Sequence, residues 1–186
     1  MGPHLILESA PGLKFPPGLQ YELLAQQGLG ALHPHWPNWH YRARHYYYLS
    51  QADLQAPPLD SRYKLRPVGE GDLRQLEAVC EPGEIADGDV DMDDRWLFGA
   101  WEGDRLVAVS SAADFRGLYD IGVLTHPAYR GAGLGGAMVG LMTRHLWAEG
   151  LIPLYRAYTD LGPSNQLARR LGFQHLHTKE KLYPPS

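Results

Sequence analysis

The chain has 186 residues, 44% of them hydrophobic and 20% charged, with a formal net charge of −4. That is apolar material for one cored domain, with or without an extension. The acidic balance argues against a general nucleic-acid binder, and the single cysteine, Cys80, argues against a disulfide-stapled secreted fold. No apolar run approaches the ~18 residues of a membrane span. The N-terminus has no basic n-region and carries Ile6 where a myristoylation signal needs Ser or Thr. The expectation is a cytoplasmic protein.

Residues 1–62 are rich in Pro, His and aromatics, and they read as an N-terminal extension or partial domain. Within them "LQYELLAQQG" reads as a short helix ended by Gly28, and "HYYYLS" as a strand. Trp36, Trp39 and Tyr46–Tyr48 are expected to pack this segment onto the main sheet or a second subunit. Pro57-Pro58 marks the boundary to a second unit, residues 63–186. There "YKLRPV" reads as a strand and "EGDLRQLEAVC" as a helix with Asp72 as N-cap. "EPGEIADGDVDMDD" reads as an acidic loop, and "WLFGAW-EGD-RLVAVSSAADF" as a hairpin turning at Gly103. "LYDIGVLT" is another strand. In "GLGGAMVGLMTRHLWAEG", Leu134, Met138, Leu141, Met142 and Leu146 share one helical face, and Gly150 closes the helix. "IPLYRAY" is a strand, "SNQLARRLG" a helix with Ser164 as N-cap and Gly172 beyond its end, and "FQHLHTKEKLY" a long last strand. The order is that of a mixed α/β sheet.

The stretch "THPAYRGAGLGG" sets Arg130, Gly131, Gly133, Gly135 and Gly136 between a strand and a helix. Glycines let backbone approach a ligand, and a helix N-terminus offers unpaired N–H donors, so this is a candidate pyrophosphate site. A P-loop is excluded, because no Lys-Ser/Thr follows. The dinucleotide fingerprint is met literally by Gly131, Gly133 and Gly136, with Asp160 near the place of a ribose-binding acid. That fold needs more βα units than the 50 residues after Gly136 supply.

A third reading fits more residues. "RGAGLG", "IGVLTHPAYRG", "SNQLARRLGF" and "YKLRPVGEGDLRQLEAVC" together resemble the GNAT superfamily of acetyl-CoA-dependent N-acetyltransferases over roughly residues 63–183. The first is similar to its Gln/Arg-x-x-Gly-x-Gly/Ala pyrophosphate loop. The resemblance implies a mixed, mostly antiparallel sheet flanked by helices, with two central parallel strands, here "LYDIGVL" and "IPLYRAY", splayed apart. It implies acetyl-CoA as co-substrate. Its pantetheine arm would lie on the backbone of Val123, Leu124 and Thr125, and its pyrophosphate on the amides of Arg130, Gly131, Ala132, Gly133, Leu134 and Gly135. Ser164 would be a further contact. An amide near Leu124 would support the thioester oxyanion, an effect typically worth ~3 kcal/mol.

The implied reaction is acetyl transfer to a primary amine by direct attack. An amine of pKa ~10.4 is neutral in only about one molecule in a thousand at pH 7, so a base is needed. Glu84 in the acidic stretch and Asp120 on the strand are the candidates. Many relatives place a proton-donating Tyr where this chain has Ala168, so Tyr155, Tyr158 or solvent takes that role here. The missing Tyr keeps a non-catalytic acyl-CoA-binding protein as an alternative, beside a nicotinamide-nucleotide-binding module or transfer of a longer acyl chain. The expected partner is a small-molecule or peptide amine, with no nucleic acid and no membrane; homodimers are common among such relatives.

Seven acidic residues and no base lie between 81 and 94. Met92 and Phe98 stand where an EF-hand needs Gly and Glu, so the stretch reads as a negative mouth for a cationic amine or as a solvated loop. His33, His35, His40 and His45 match no zinc spacing, and no metal is expected. Cys80 has no obvious His partner and reads as a packing thiol.

Overall fold

The computed structural model describes residues 6–8 and 40–183. The helix read in "LQYELLAQQG" and residues His33, His35, Trp36 and Trp39 lie outside the described residues. The described elements begin with β1 (Ile6–Glu8), β2 (His40–Tyr48) and a 3-10 turn (Gln51–Asp53). β3 (Lys64–Arg66), α1 (Glu70–Glu77), α2 (Pro82–Gly88), β4 (Trp96–Glu102), β5 (Arg105–Phe115) and β6 (Leu118–Thr125) follow. A second 3-10 turn (Pro127–Tyr129) leads to α3 (Leu134–Ala148), β7 (Pro153–Tyr158), α4 (Gly162–Arg170) and β8 (Gln174–Tyr183).

The eight strands form one sheet in the order β1-β8-β2-β7-β6-β5-β4-β3. Pairing is antiparallel except at β6/β7 and β1/β8. β4, β5 and β6 are joined by two tight turns, at Gly103 (φ +59°) and Gly117 (φ +84°). The strand read in "HYYYLS" starts at His40 and lies between β7 and β8, antiparallel to both. Its anchor is Tyr47, whose buried hydroxyl donates to Asn165 Oδ1 at 2.7 Å.

Neighbouring residues of the central strands feed opposite faces, as the period of two requires. Ala108 and Val123 pack with Leu134 and Met138 of α3, whereas Val109 and Leu124 pack with Leu73 and Leu76 of α1. A β-strand with both faces covered carries no polar alternation, which accounts for the nearly unbroken small and apolar run of β5. On α3 the expected face is in place: Leu134, Met138, Met142 and Leu146 are buried and Leu141 is half-buried.

Three local expectations are corrected. The acidic stretch 81–94 is not all loop. Pro82 opens α2 at its first turn, and the Glu84 carboxylate accepts the Glu81 N–H at 2.9 Å. Asp72 is not the N-cap of α1 but sits in its first turn, accepting the Gly69 N–H at 2.9 Å. Ser164 likewise lies inside the first turn of α4, whose N-cap is Leu161.

Candidate active site

β6 and β7 are paired in register only at Tyr119↔Pro153 and Asp120↔Leu154. Beyond Asp120, β6 pairs only with β5 and β7 only with β2. The two parallel strands therefore part along Ile121–Thr125, about 17 Å of strand at the usual rise. That leaves the facing backbone of Val123, Leu124 and Thr125 without a strand partner, the arrangement an extended arm joins as an added strand. The Leu124 side chain is buried under α1 and Val123 packs toward α3, so what this stretch offers the gap is backbone.

At the open end β6 runs into the glycine loop. Gly131 and Gly133 both take φ +80°, a conformation glycine adopts without penalty, and Gly133 is the N-cap of α3. The first helical bond runs from Ala137 N–H to Gly133 O, so the amides of Leu134, Gly135 and Gly136 have no acceptor within the helix. A Cβ on Gly135 would lie 3.3 Å from Thr125 Oγ1, so the missing side chain lets the end of β6 meet the helix N-terminus. Leu134 is buried beneath, fixing the first turn. Backbone amides and the helix dipole here suit a pyrophosphate.

The Arg130 side chain folds back from this loop. Its Nε donates to Thr125 O at 3.1 Å, and the guanidinium grips Glu84 at 2.5 and 3.0 Å. Glu84 is thus placed on Arg130, whose hydrogen bond holds its carboxyl below the ordinary range. Both side chains are more than a third exposed, so the pair is a latch between α2 and the loop and of small energetic weight. Burial holds the Cys80 thiol above its ordinary range despite the nearby Arg130.

Asp120 stands at the closed end of the splay. It is only 6% exposed. Arg156 on β7 donates to its Oδ2 through Nε at 2.7 Å and a terminal nitrogen at 2.5 Å. Oδ1 is buried and has no protein partner. Burial lifts Asp120 from the ordinary value of 3.8 to about 6, against the pull of Arg156. Burial also works against the Arg156 charge, but Asp120 outweighs it and holds the guanidinium proton firmly. Asp89, at the left-handed C-cap of α2, receives Arg156 and Arg44 of β2 at 3.4 Å each.

Asp120 and Arg156 line a cleft of about 320 Å³ together with Asp89, Asp91 and Asp94. The α2 end of the acidic stretch comes this near because β6 carries Gly122: a Cβ there would lie 2.1 Å from Asp89 O. A second hollow, about 450 Å³, lies at the C-terminal end of α3 beside Arg144 and Trp147, the far end of that helix from the glycine loop.

Tyr155 points to the other face of the sheet. It is buried against Phe173, its hydroxyl stands against Ser164, and burial pushes it up to about 12. Ala168 is fully buried. The sequence alone does not single out Arg156, Asp89 and Arg44. One signal was present: a lone arginine inside the apolar strand "IPLYRAY" calls for a buried carboxylate partner.

The sequence profile of the acetyltransferase (GNAT) family matches residues 63–173. The chain belongs to this family, whose typical activity is acyl transfer. No curated protein matches it. Among solved structures, a GCN5-related N-acetyltransferase from Kribbella flavida is 16% identical, with TM-score 0.61 over 86% of this chain and 65% of that one. One from Sphaerobacter thermophilus is 18% identical, with TM-score 0.59 over 86% and 57%. A GCN5-related N-acetyltransferase-like protein from Streptococcus suis is 17% identical, with TM-score 0.56 over 86% and 68%. At these identities the likeness is one of fold. The mostly antiparallel sheet with one splayed parallel pair is also not the doubly wound parallel sheet that the dinucleotide fingerprint requires. Among the described residues, no helix is long and apolar enough to cross a membrane.

Proposed function

We propose that the chain transfers an acetyl group from acetyl-CoA to a primary amine by direct attack, with Asp120 as the general base. The observation that carries this is the buried, unpartnered Oδ1 of Asp120, set where β6 and β7 begin to part. Bound acetyl-CoA supplies an activated acyl carbon and a thiolate leaving group. The amides of residues 130–135 hold its pyrophosphate, the backbone of Val123, Leu124 and Thr125 holds its arm, and Ser164 adds a contact from α4. Asp120 Oδ1 accepts the proton of the incoming ammonium, so that the nitrogen lone pair is free to form the C–N bond as the C–S bond breaks. A backbone N–H near Leu124 supports the negative charge on the acyl oxygen. At neutral pH Asp120 is mostly ionised, yet a stronger base than an ordinary aspartate, which suits the role. Arg156 orients it through Oδ2 and leaves Oδ1 to the amine. Glu84 is assigned to the Arg130 latch and not to the base. Tyr155 positions Ser164, and the departing thiolate takes its proton from water.

The test is thiol release from acetyl-CoA with a panel of amines, for the parent chain and Asp120→Asn. The expected result is a loss of about 10²–10⁴ in rate with acetyl-CoA affinity kept. An equally active variant overturns the assignment of the base. Ala168, where many relatives carry a tyrosine, supports a second reading, acyl-CoA binding without transfer. Equilibrium binding of acetyl-CoA with no thiol release for any amine selects it.

A further inference from the structure

The cleft in front of Asp120 holds more negative charge than one general base requires. Four carboxylates, Asp89, Asp91, Asp94 and Asp120, border it, against one lining cation, Arg156. That cation is already engaged with Asp120 and Asp89, and Arg44 at the rim is engaged with Asp89. Among the described residues, Asp91 and Asp94 have no cationic partner. Asp91 accepts the Asp93 N–H at 2.9 Å, and Asp94 accepts the Asp91 N–H at 3.2 Å and stands against the Ser111 hydroxyl, all uncharged donors. Burial pushes Asp94 up against its hydrogen bonds from Ser111 and the Asp91 amide, and the neighbouring Asp91 and Asp89 charges add to the rise. The independent sign of a ligand is Asp120, a residue that lines the cleft, is more than nine-tenths buried and has its Oδ1 without a partner.

Resting on the acetyltransferase reading, we propose that the acceptor is a diamine or longer polyamine. Its reacting nitrogen sits at Asp120 Oδ1, and a second ammonium sits at Asp91 and Asp94. The alternatives fit less well. Among the described residues, no three acidic, His or Cys groups converge as metal ligands, so the cleft does not suit a single compact ion. An amino-acid acceptor would bring its own carboxylate against carboxylates whose neighbouring cations among the described residues, Arg156 and Arg44, are already paired. Ile85, Val90 and Ala113 also line the cleft and give a methylene spacer apolar surface to lie on.

The test is calorimetric titration of the full chain with 1,4-diaminobutane, spermidine and n-butylamine, alone and with the protein saturated by CoA. One additional charge-assisted contact predicts binding of the diamines at least about tenfold tighter than the monoamine. The double variant Asp91→Asn/Asp94→Asn keeps the oxygen acceptors for the loop amides and is expected to bring the diamines down to the monoamine's affinity. Equal affinities in the parent, no amine binding in either state, or a preference that survives the double variant overturns the proposal. Acetyl-CoA is titrated separately. If it binds without any diamine preference, only the acceptor class fails. If the diamines are preferred but acetyl-CoA does not bind, acetyl transfer fails while the dication site stands.

Discussion

Asp120→Asn removes one ionisation and leaves the side-chain shape. Burial lifts Asp120 from 3.8 to about 6 against the pull of Arg156, with the Asp89 charge adding to the rise and Arg44 opposing it. The unfolded chain releases this proton near pH ~3.9. A group whose folded value is raised contributes stability fully below the unfolded value and loses it as pH rises through the folded one. A rise of about two pH units corresponds to about 3 kcal/mol. The unfolding free energy of the parent, minus that of the variant, therefore falls by about 3 kcal/mol between about pH 4 and pH 7, mostly below about pH 6. Urea melts of both chains at half-unit steps of pH measure it directly. A flat difference would show that burial does not perturb Asp120. A difference that rises with pH would show that Arg156 outweighs burial, and the argument for a strengthened base would be wrong.

Other perturbations test the frame around the site. Tyr47→Phe leaves Asn165 Oδ1 without its buried donor and is expected to destabilise the fold by about 1–3 kcal/mol in urea; no change would mean that β2 is not anchored through α4. Gly122→Ala sets a Cβ 2.1 Å from the Asp89 carbonyl, an overpacking expected to cost about 1–3 kcal/mol or more, whereas Gly71→Ala meets nothing within 4 Å and should change stability by under ~1 kcal/mol. Parallel urea melts compare them, and equal effects would contradict the close crossing of α2 over β6. Deleting residues 1–48 takes away the strand that pairs β7 and β8 together. We expect no cooperative unfolding transition from that chain by circular dichroism, and a sharp one would place the folding unit after Tyr48.

The parts legible in the sequence are those built from neighbours along the chain. The β4–β5–β6 run has tight turns and unbroken apolar pattern, and α3 has period 3.6 with glycines at both ends. The glycine loop was legible for the same reason, since its conformational needs are local. What stayed hidden depends on distance in sequence. Tyr47 pairs with His175 and bonds to Asn165, and nothing near Tyr47 announces partners more than a hundred residues away. The Asp120–Arg156 bond spans 36 residues and joins two strands that are in register at only two residue pairs. Helix α2 escaped because one large apolar residue, Ile85, among acids gives no periodicity; Pro82 and Glu84 form it through capping. Charge and location make Glu84 a candidate base in the sequence, and its partner Arg130 is visible only once α2 is folded against the loop.

The most direct measurement is thermal unfolding of the full chain with acetyl-CoA, beside Gly131→Asp and beside NAD(H) as a control. Gly131 has φ +80° and open space around it, so Asp there meets no clash and brings a negative charge to the loop; the backbone strain it adds lowers the ligand-free stability, and the ligand-induced increment is therefore read against each chain's own baseline. At about a hundred times its dissociation constant, acetyl-CoA should add ~2.7 kcal/mol of stability to the parent and clearly less to the variant. Stabilisation by NAD(H) alone, by neither ligand, or by acetyl-CoA equally in both chains would contradict a pyrophosphate site at the N-terminus of α3, and with it the acetyltransferase reading of the cleft.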